Sequence, residues 1–335
     1  LLKEYVKYYY EALDKVKKEA YLCMYDALKD KKDRAVLPPC LAEEDLKTVL
    51  WAVYNDCPSF YYIDPYNYRF SSKGGRFTIF FNYIYSKEKI AEFDKRLADG
   101  LAKFKAANIR DDMSDYEKEL VIHNFLVRFI TYDKFAVSSP KTISEAYNVI
   151  GALLCQTAVC WGISLAFKLI ADYCRLKAFV VVGAGNAEWA KDNHAWNIVK
   201  LDGREYHLDV TWDIREKGSL SYYYDYFNLS DALISFNHSW NTSIYPRCSE
   251  NKYNYYYRNG LYVKKTEDIA GFTERRFRDG KEFMALKFAA DNMPDYDTIL
   301  EEVKKGLRRV FRDVLFNLSV SPVTHNIYLE IQAYR

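Results

Sequence analysis

Three side chains in this sequence could together do chemistry: the thiol of Cys160, the imidazole of His194 and the carboxylate of Asp209. A thiol attacks a carbonyl efficiently when a base takes its proton and a third group holds that base in place. Cys160 precedes Ile163, Ala166, Phe167, Ile170 and Tyr173, apolar positions that recur at helical spacing. A helix is therefore expected there, with Thr157 as N-cap and Cys160 three residues into the first turn. A thiol in that position faces the positive end of the helix dipole and free backbone N–H groups, and both favour the thiolate. Taken alone, a cysteine beside tryptophan on an apolar helix is ordinarily core. The imidazole and carboxylate downstream are what set Cys160 apart.

Two strand-like runs follow, His194 to Val199 and Tyr206 to Trp212, with Asp202-Gly203 between them. An Asp-Gly pair in that setting signals a hairpin. A tight turn there pairs residues whose numbers sum to about 405, which sets His194 near residue 211 and brings Asp209 within reach. For an oxyanion, the backbone N–H of Cys160 is the first candidate donor and the Gln156 amide a weaker second. Trp161 and Trp212 read either as walls of a substrate cleft or as aromatic core, and Trp196 and Asn197 as residues that shape the site or pack beside it. His207, two residues before Asp209, reads as a partner behind the site or a core-edge histidine. The run from Tyr222 to Tyr226, with Tyr224 at its centre, could stack on sugars or extended peptides, against the simpler reading of flat buried faces with wet hydroxyls.

The run Ala158 to Ala166, the run His194-Ala195-Trp196-Asn197 and the run Leu208 to Asp213 resemble the catalytic core of the transglutaminase-like superfamily, over about residues 115–260. Family members place a nucleophilic Cys at a helix N-terminus, then His, then Asp on neighbouring strands, and Cys160, His194 and Asp209 fall in that order. Cys160-Trp161 is similar to the Cys-Trp of animal transglutaminases, whereas many bacterial relatives carry Glu after the Cys. The run Tyr226 to Asp231, and then His238, is similar to bacterial members. The resemblance implies an α+β, papain-like core: a helix-borne Cys packed on an antiparallel sheet that carries His and Asp, with flanking α/β regions. It implies action on peptide or carboxamide bonds through a Cys160 thioester, with hydrolysis, as by a protease or amidase, favoured. Glutamyl transfer to an amine, and a peptide- or glycan-binding module that has lost turnover, are the alternatives. The expected partner is a peptide or protein substrate, a cell-wall peptide or glycan among them.

No metal is expected, since Cys155, Cys160, Cys174 and the histidines lack ligand spacing, and Asp111-Asp112 and Glu301-Glu302 do not make a calcium loop. No cofactor is expected either. Gly183-Ala184-Gly185-Asn186, after a strand from Leu176 to Gly183, reads as a loop without the remaining glycine or lysine of a phosphate cradle.

The elements that must position these groups sit in a chain of 335 residues and 39.4 kDa, enough for two or three domains. Half the residues are apolar and 28% charged, the balance of a globular protein with a sizeable core. Forty-eight Lys and Arg against 46 Asp and Glu leave +2, which gives no footprint for nucleic acid or an anionic membrane. The longest apolar stretch, Leu153 to Leu169, is interrupted by Gln156, Ser164 and Lys168 and is too short for a transmembrane segment. Seven cysteines, an odd number, tilt the setting toward a reducing cytoplasm, while a leader upstream of Leu1 would place the chain in secretion or at the cell surface.

Three regions are expected: an N-terminal α/β region over 1–110, the catalytic core over 111–262 and a small α/β region over 263–335. In the first, helices are expected over Glu4–Leu28, from Glu43 to Tyr54 and over Lys87–Ala106, and strands over Phe60–Phe70 and Phe77–Tyr85. Ser114 and Glu117 form a capping-box pattern that starts a helix running to about Ile130. In the last region, a strand is expected over Phe283–Phe288, a helix over Tyr296–Phe311 and a strand over Asn326–Ile331.

Overall fold

The computed structural model describes residues 5–138, 145–186, 193–214, 223–289, 293–321 and 324–334, and it is α+β. The expected first helix is two: α1 (Tyr8–Ala12) and α2 (Lys15–Lys29), broken because Asp14 turns its carboxylate onto the Lys17 amide as an N-cap. Strand β1 (Arg34–Val36) and helix α3 (Asp45–Asp56) follow. The expected strand over Phe60–Phe70 is instead a single 3-10 turn, Pro58–Phe60, and a loop, with strand only at its end in β2 (Arg69–Lys73). Burial of Phe60, Tyr61, Tyr62 and Ile63 accounts for the apolar run, since consecutive buried residues do not require a strand. Gly74 and Gly75 turn β2 into β3 (Arg76–Phe80). Helix α4 (Lys87–Asn108) buries Ile90, Phe93, Leu97, Leu101 and Phe104 at helical spacing. Helix α5 (Asp115–Phe129) begins at the expected capping box, with both reciprocal bonds between Ser114 and Glu117 formed.

The next segment builds the centre of the molecule. Strand β4 (Thr131–Tyr132) and the turn α6 (Lys134–Ser138) precede a π-helical turn, Gly151–Cys155. Strand β5 (Thr157–Ala158) pairs in parallel with β4, so Thr157 lies in a strand rather than at a helix cap. Helix α7 (Cys160–Tyr173) starts at Cys160 itself, after an extended Val159 that gives no side-chain cap. Strands β6 (Ala178–Gly185), β7 (His194–Leu201) and β8 (Arg204–Leu208) are antiparallel neighbours. The β7–β8 hairpin has the expected register: Asn197 faces Leu208 and Ile198 faces His207, around Asp202 and Gly203, both at positive φ. The second run leaves the sheet earlier than expected. Asp209 caps the Trp212 amide and opens a one-turn helix, α8 (Val210–Asp213). Strand β9 (Phe227–Leu229), the turn α9 (Asp231–Ile234) and strand β10 (His238–Trp240) complete a sheet ordered β10-β6-β7-β8-β9.

Alternation along this sheet separates two cores. Ala178, Val180, Ala195, Val199, Tyr206 and Leu208 join α7 in a core that runs from Ala20 to Tyr256 and so includes the N-terminal helices. Phe179, Val181, Trp196, Ile198, Tyr245 and Cys248 form the core on the opposite face. The turn α10 (Tyr255–Arg258) leads to a third, closed core. It is built from β11 (Tyr262–Val263), α11 (Asp268–Arg278), β12 (Phe283–Phe288), α12 (Tyr296–Leu307), β13 (Val314–Ser321) and β14 (Asn326–Tyr334). The sequence reading lacks α11 and β13. The four strands order as β11-β12-β14-β13. At the seam with the central sheet, buried Asp225 accepts from Tyr256, Asn326 and Tyr328.

Candidate active site

The expected hairpin and helix bring the three groups to one end of the sheet. His194 is the first residue of β7, Asp209 follows β8, and Cys160 begins α7, which packs against β7. Imidazole and carboxylate meet directly: His194 Nε2 lies 2.6 Å from Asp209 Oδ2, and both side chains are fully buried. Burial works to keep the His194 ring neutral, but the charge and hydrogen bond of Asp209, and then Cys160, outweigh it and hold the ring's pKa up at about 10. Burial likewise opposes charge on Asp209, yet His194 and then His238 keep its carboxyl well below the usual carboxylate range. On the other edge of the ring, His194 Nδ1 is buried and has no nitrogen or oxygen partner among the described residues. Cys160 is the thiol that acts on this ring, by charge and by hydrogen bonding.

Cys160 is half-buried, whereas Cys57, Cys174 and Cys248 are buried. The first bond within α7 runs from the Ile163 amide to the Val159 carbonyl. The amides of Cys160, Trp161 and Gly162 therefore lie ahead of the intrahelical ladder, where a negative oxygen would find donors. Gln156 is exposed, at φ 60° at the end of the π-helical turn, and its carbonyl accepts from the Thr131 amide. Its side chain has no hydrogen bond among the described residues.

Several expected contributors lie in the interior. Trp196 and Asn197 are sealed; Asn197 donates to the Ser164 carbonyl of α7 and Trp196 donates to His207 Nδ1. Trp161 stacks on Trp51 at 4.7 Å and donates to Asn55 Oδ1, which makes it the joint between α7 and α3. Trp212 packs within 4.3 Å of His238. Tyr224 is buried between His123 and Tyr255, its ring 3.6 Å from the Tyr255 ring, so it offers no stacking platform. Tyr222 lies outside the described residues. The glycines expected in a loop belong to β6, and close approach explains them. A Cβ on Gly183 would sit 2.7 Å from the Trp196 ring, and one on Gly185 would sit 2.9 Å from Trp212.

Residues around the sulfur escaped the sequence reading. Burial, and next the neighbouring Cys160, raises the phenols of Tyr132 and Tyr147 above the ordinary tyrosine range. Exposed Tyr66 packs edge-on to Trp161 at 5.7 Å. These come from loops and short strands without periodicity, and only their folding round Cys160 makes them neighbours. His238, named in the sequence only through its resemblance to bacterial members, lies behind the carboxylate, 3.0 Å from Asp209 Oδ2.

Among the described residues, two groups of side chains have donor atoms close enough to consider a metal: His194, Asp209 and His238, and, separately, His207, Asp231 and Cys248. In the first, both Nε2 atoms lie at hydrogen-bond distance from one carboxylate oxygen, which requires a proton on each nitrogen and not a lone pair. In the second, His207 Nδ1 accepts from Trp196, so Nε2 holds the proton and gives it to Asp231 at 2.9 Å. Neither set presents its donors to an ion. No helix among the described residues is long and apolar enough to cross a membrane.

No family model matches the chain, and no curated protein matches it. Solved structures that align with part of it include a TGase, at 16% identity and a TM-score of 0.30 over 57% of this chain and 54% of that one. A "Putative Cysteine Protease" from Cytophaga hutchinsonii aligns at 13% identity and 0.28, over 43% and 61% of the two chains. A "Putative Protease" from Parabacteroides distasonis aligns at 12% and 0.25, over 47% and 36%. The chain thus spans between about a third and three-fifths of those proteins.

Proposed function

We propose that the protein is a thiol enzyme that opens amide bonds through an acyl group carried on Cys160. The observation that supports this reading is the state of His194: one nitrogen is tied to a buried carboxylate, the other has no nitrogen or oxygen partner among the described residues, and the ring feels the thiol of half-buried Cys160 at a helix start. Asp209 fixes the tautomer, because its oxygen requires a proton on Nε2 and so leaves Nδ1 as the base. Because His194 holds its second proton up to about pH 10, the reactive form is a thiolate–imidazolium pair with the Cys160 proton already on Nδ1; in the first step sulfur bonds to the carbonyl carbon, and the carbonyl oxygen becomes an oxyanion at the start of α7. The oxyanion then collapses, the C–N bond breaks, and the imidazolium returns its proton to the leaving amine. In the second step His194 takes a proton from water as oxygen attacks the thioester, which releases the acid and restores the thiol. An amine in place of water would complete an acyl transfer; hydrolysis is the simpler outcome, since water needs no second binding site.

The test is iodoacetamide labelling near pH 6 followed by mass spectrometry. The reading expects Cys160 to react ahead of the six other thiols, and His194→Ala to abolish that preference. Similar labelling of Cys160, Cys40 and Cys155, the last two being exposed, would overturn it. A peptide library incubated with and without a primary amine then divides hydrolysis from transfer.

A further inference from the structure

The carboxylate of Asp209 serves two rings. Its Oδ2 meets His194 Nε2 at 2.6 Å and His238 Nε2 at 3.0 Å, while Oδ1 accepts from the Trp212 amide at 3.2 Å. An ionised carboxylate only accepts, so His238 must carry a proton on Nε2. Its other nitrogen lies 2.7 Å from Asn237 Oδ1, and Asn237 Nδ2 donates to the Tyr226 hydroxyl at 2.6 Å. With the amide so turned, His238 is a cation. With the amide rotated by half a turn, Tyr226 gives to Asn237 and Asn237 to His238, and the ring is neutral. Both arrangements leave the Nε2 proton on Asp209.

We propose that His238 is a positioning residue of the thiol site, a second imidazole donor that pins Asp209 so that His194 keeps Nδ1 turned toward Cys160. The inference rests on the reading of Cys160 as nucleophile. A carboxylate held by a single ring can swing about its own side-chain bonds; donors on both oxygens, two of them on Oδ2, remove that freedom. The shared lone pairs also make Oδ2 a poorer base, which keeps the proton on His194. The fold is shaped to admit the ring. His238 sits in the three-residue edge strand β10 directly across from Gly185, boxed by Trp212 at 4.3 Å, Trp196 at 5.0 Å and Tyr226 at 5.5 Å. An apolar side chain would fill such a box at no polar cost, whereas a buried imidazole is tolerated only with its partners in place. His238 is buried behind Asp209, so it acts through the carboxylate.

Two variants and two readouts test this. His238→Leu removes the donor at similar bulk, and His238→Gln keeps an N–H at about the reach of Nε2. The rate of Cys160 alkylation should fall about tenfold to a hundredfold in His238→Leu, as for loss of one hydrogen bond to a buried charge. It should stay within about threefold of the unaltered protein in His238→Gln. Nitrogen-15 NMR of the unaltered protein should show a proton on Nε2 of both His194 and His238, and the His194 resonance should move in His238→Leu. Equal slowing in both variants would make the ring mere packing and overturn the role, as would an unchanged rate in His238→Leu or a bare Nε2 on His238. If His238→Leu does not fold, the Gln variant and the ring spectra still decide. Failure of the underlying reading looks different: Cys160 in the unaltered protein would label no faster than Cys40.

Discussion

The central sheet carries two sets of the same three residue types. Cys160, His194 and Asp209 occupy its end; His207, Asp231 and Cys248 lie on one of its faces, with Trp196 between the two histidines. Composition does not distinguish them, and neither does the approach of imidazole to carboxylate, 2.6 Å in one and 2.9 Å in the other. The differences lie in the free edge of each ring and in the surroundings of each sulfur. His194 Nδ1 has no nitrogen or oxygen partner among the described residues; on His207 that nitrogen is occupied by the Trp196 indole. Cys160 is half-buried at the first residue of a helix, whereas Cys248 is sealed, and burial pushes its thiol far above the usual range. A nucleophile needs a sulfur that is not sealed and an imidazole edge left to exchange its proton. Cys160 and His194 fit that need; sealed Cys248 and His207, whose Nδ1 accepts from Trp196, do not.

The sharpest way to break this comparison is to delete each sulfur. Cys160→Ala should abolish amide turnover, a fall of roughly 10⁴–10⁶-fold by analogy with other nucleophile deletions, while Cys248→Ala should turn over normally. Peptide hydrolysis by the two purified variants decides it, and turnover surviving in Cys160→Ala sinks the assignment. Next come the rings. His194→Ala should cost nearly as much activity as loss of the sulfur, and His207→Asn should leave kcat within about threefold, measured on the same peptide.

The two rings should also titrate in opposite senses. His194 stands at about 10, above its unfolded value of roughly 6.5, so its stabilising contribution is full below about pH 6.5 and disappears as pH rises through 10. Burial lowers His207, so its contribution is full at neutral pH and lost as pH falls below about 6.5. Urea midpoints across pH 5–10 should therefore show the alkaline decline flattened in His194→Asn and the acid decline flattened in His207→Asn. The same slopes in both variants would erase the distinction. The smallest effect belongs to the residue between the sets. Trp196→Phe removes the indole donor and leaves His207 Nδ1 unpaired, a cost of about 1–3 kcal/mol in urea denaturation, with Cys160 alkylation little changed.

Much of the candidate set is legible in the sequence because it rests on local rules. The helical period after Cys160 and the Asp202-Gly203 turn together specify the β7–β8 hairpin and a helix beside it. The Ser114–Glu117 box and the stripe in α4 are equally local. Local signals mislead where burial rather than periodicity explains an apolar run, as at residues 60–63, and where glycine marks close packing instead of a turn, as at Gly183 and Gly185.

By itself the sequence determined the order of thiol, imidazole and carboxylate, the register that brings the last two together, and an α+β chain with a large apolar core. Only the tertiary structure decided that the helix begins at Cys160, that Trp196, Asn197 and Tyr224 are interior, and that a second histidine shares Asp209. The physical reason is range. Periods, caps and tight turns are set by residues within a few positions of one another. The His238 contact spans 29 positions and the His123–Asp213 pair 90, and such meetings depend on how sheets and helices pack.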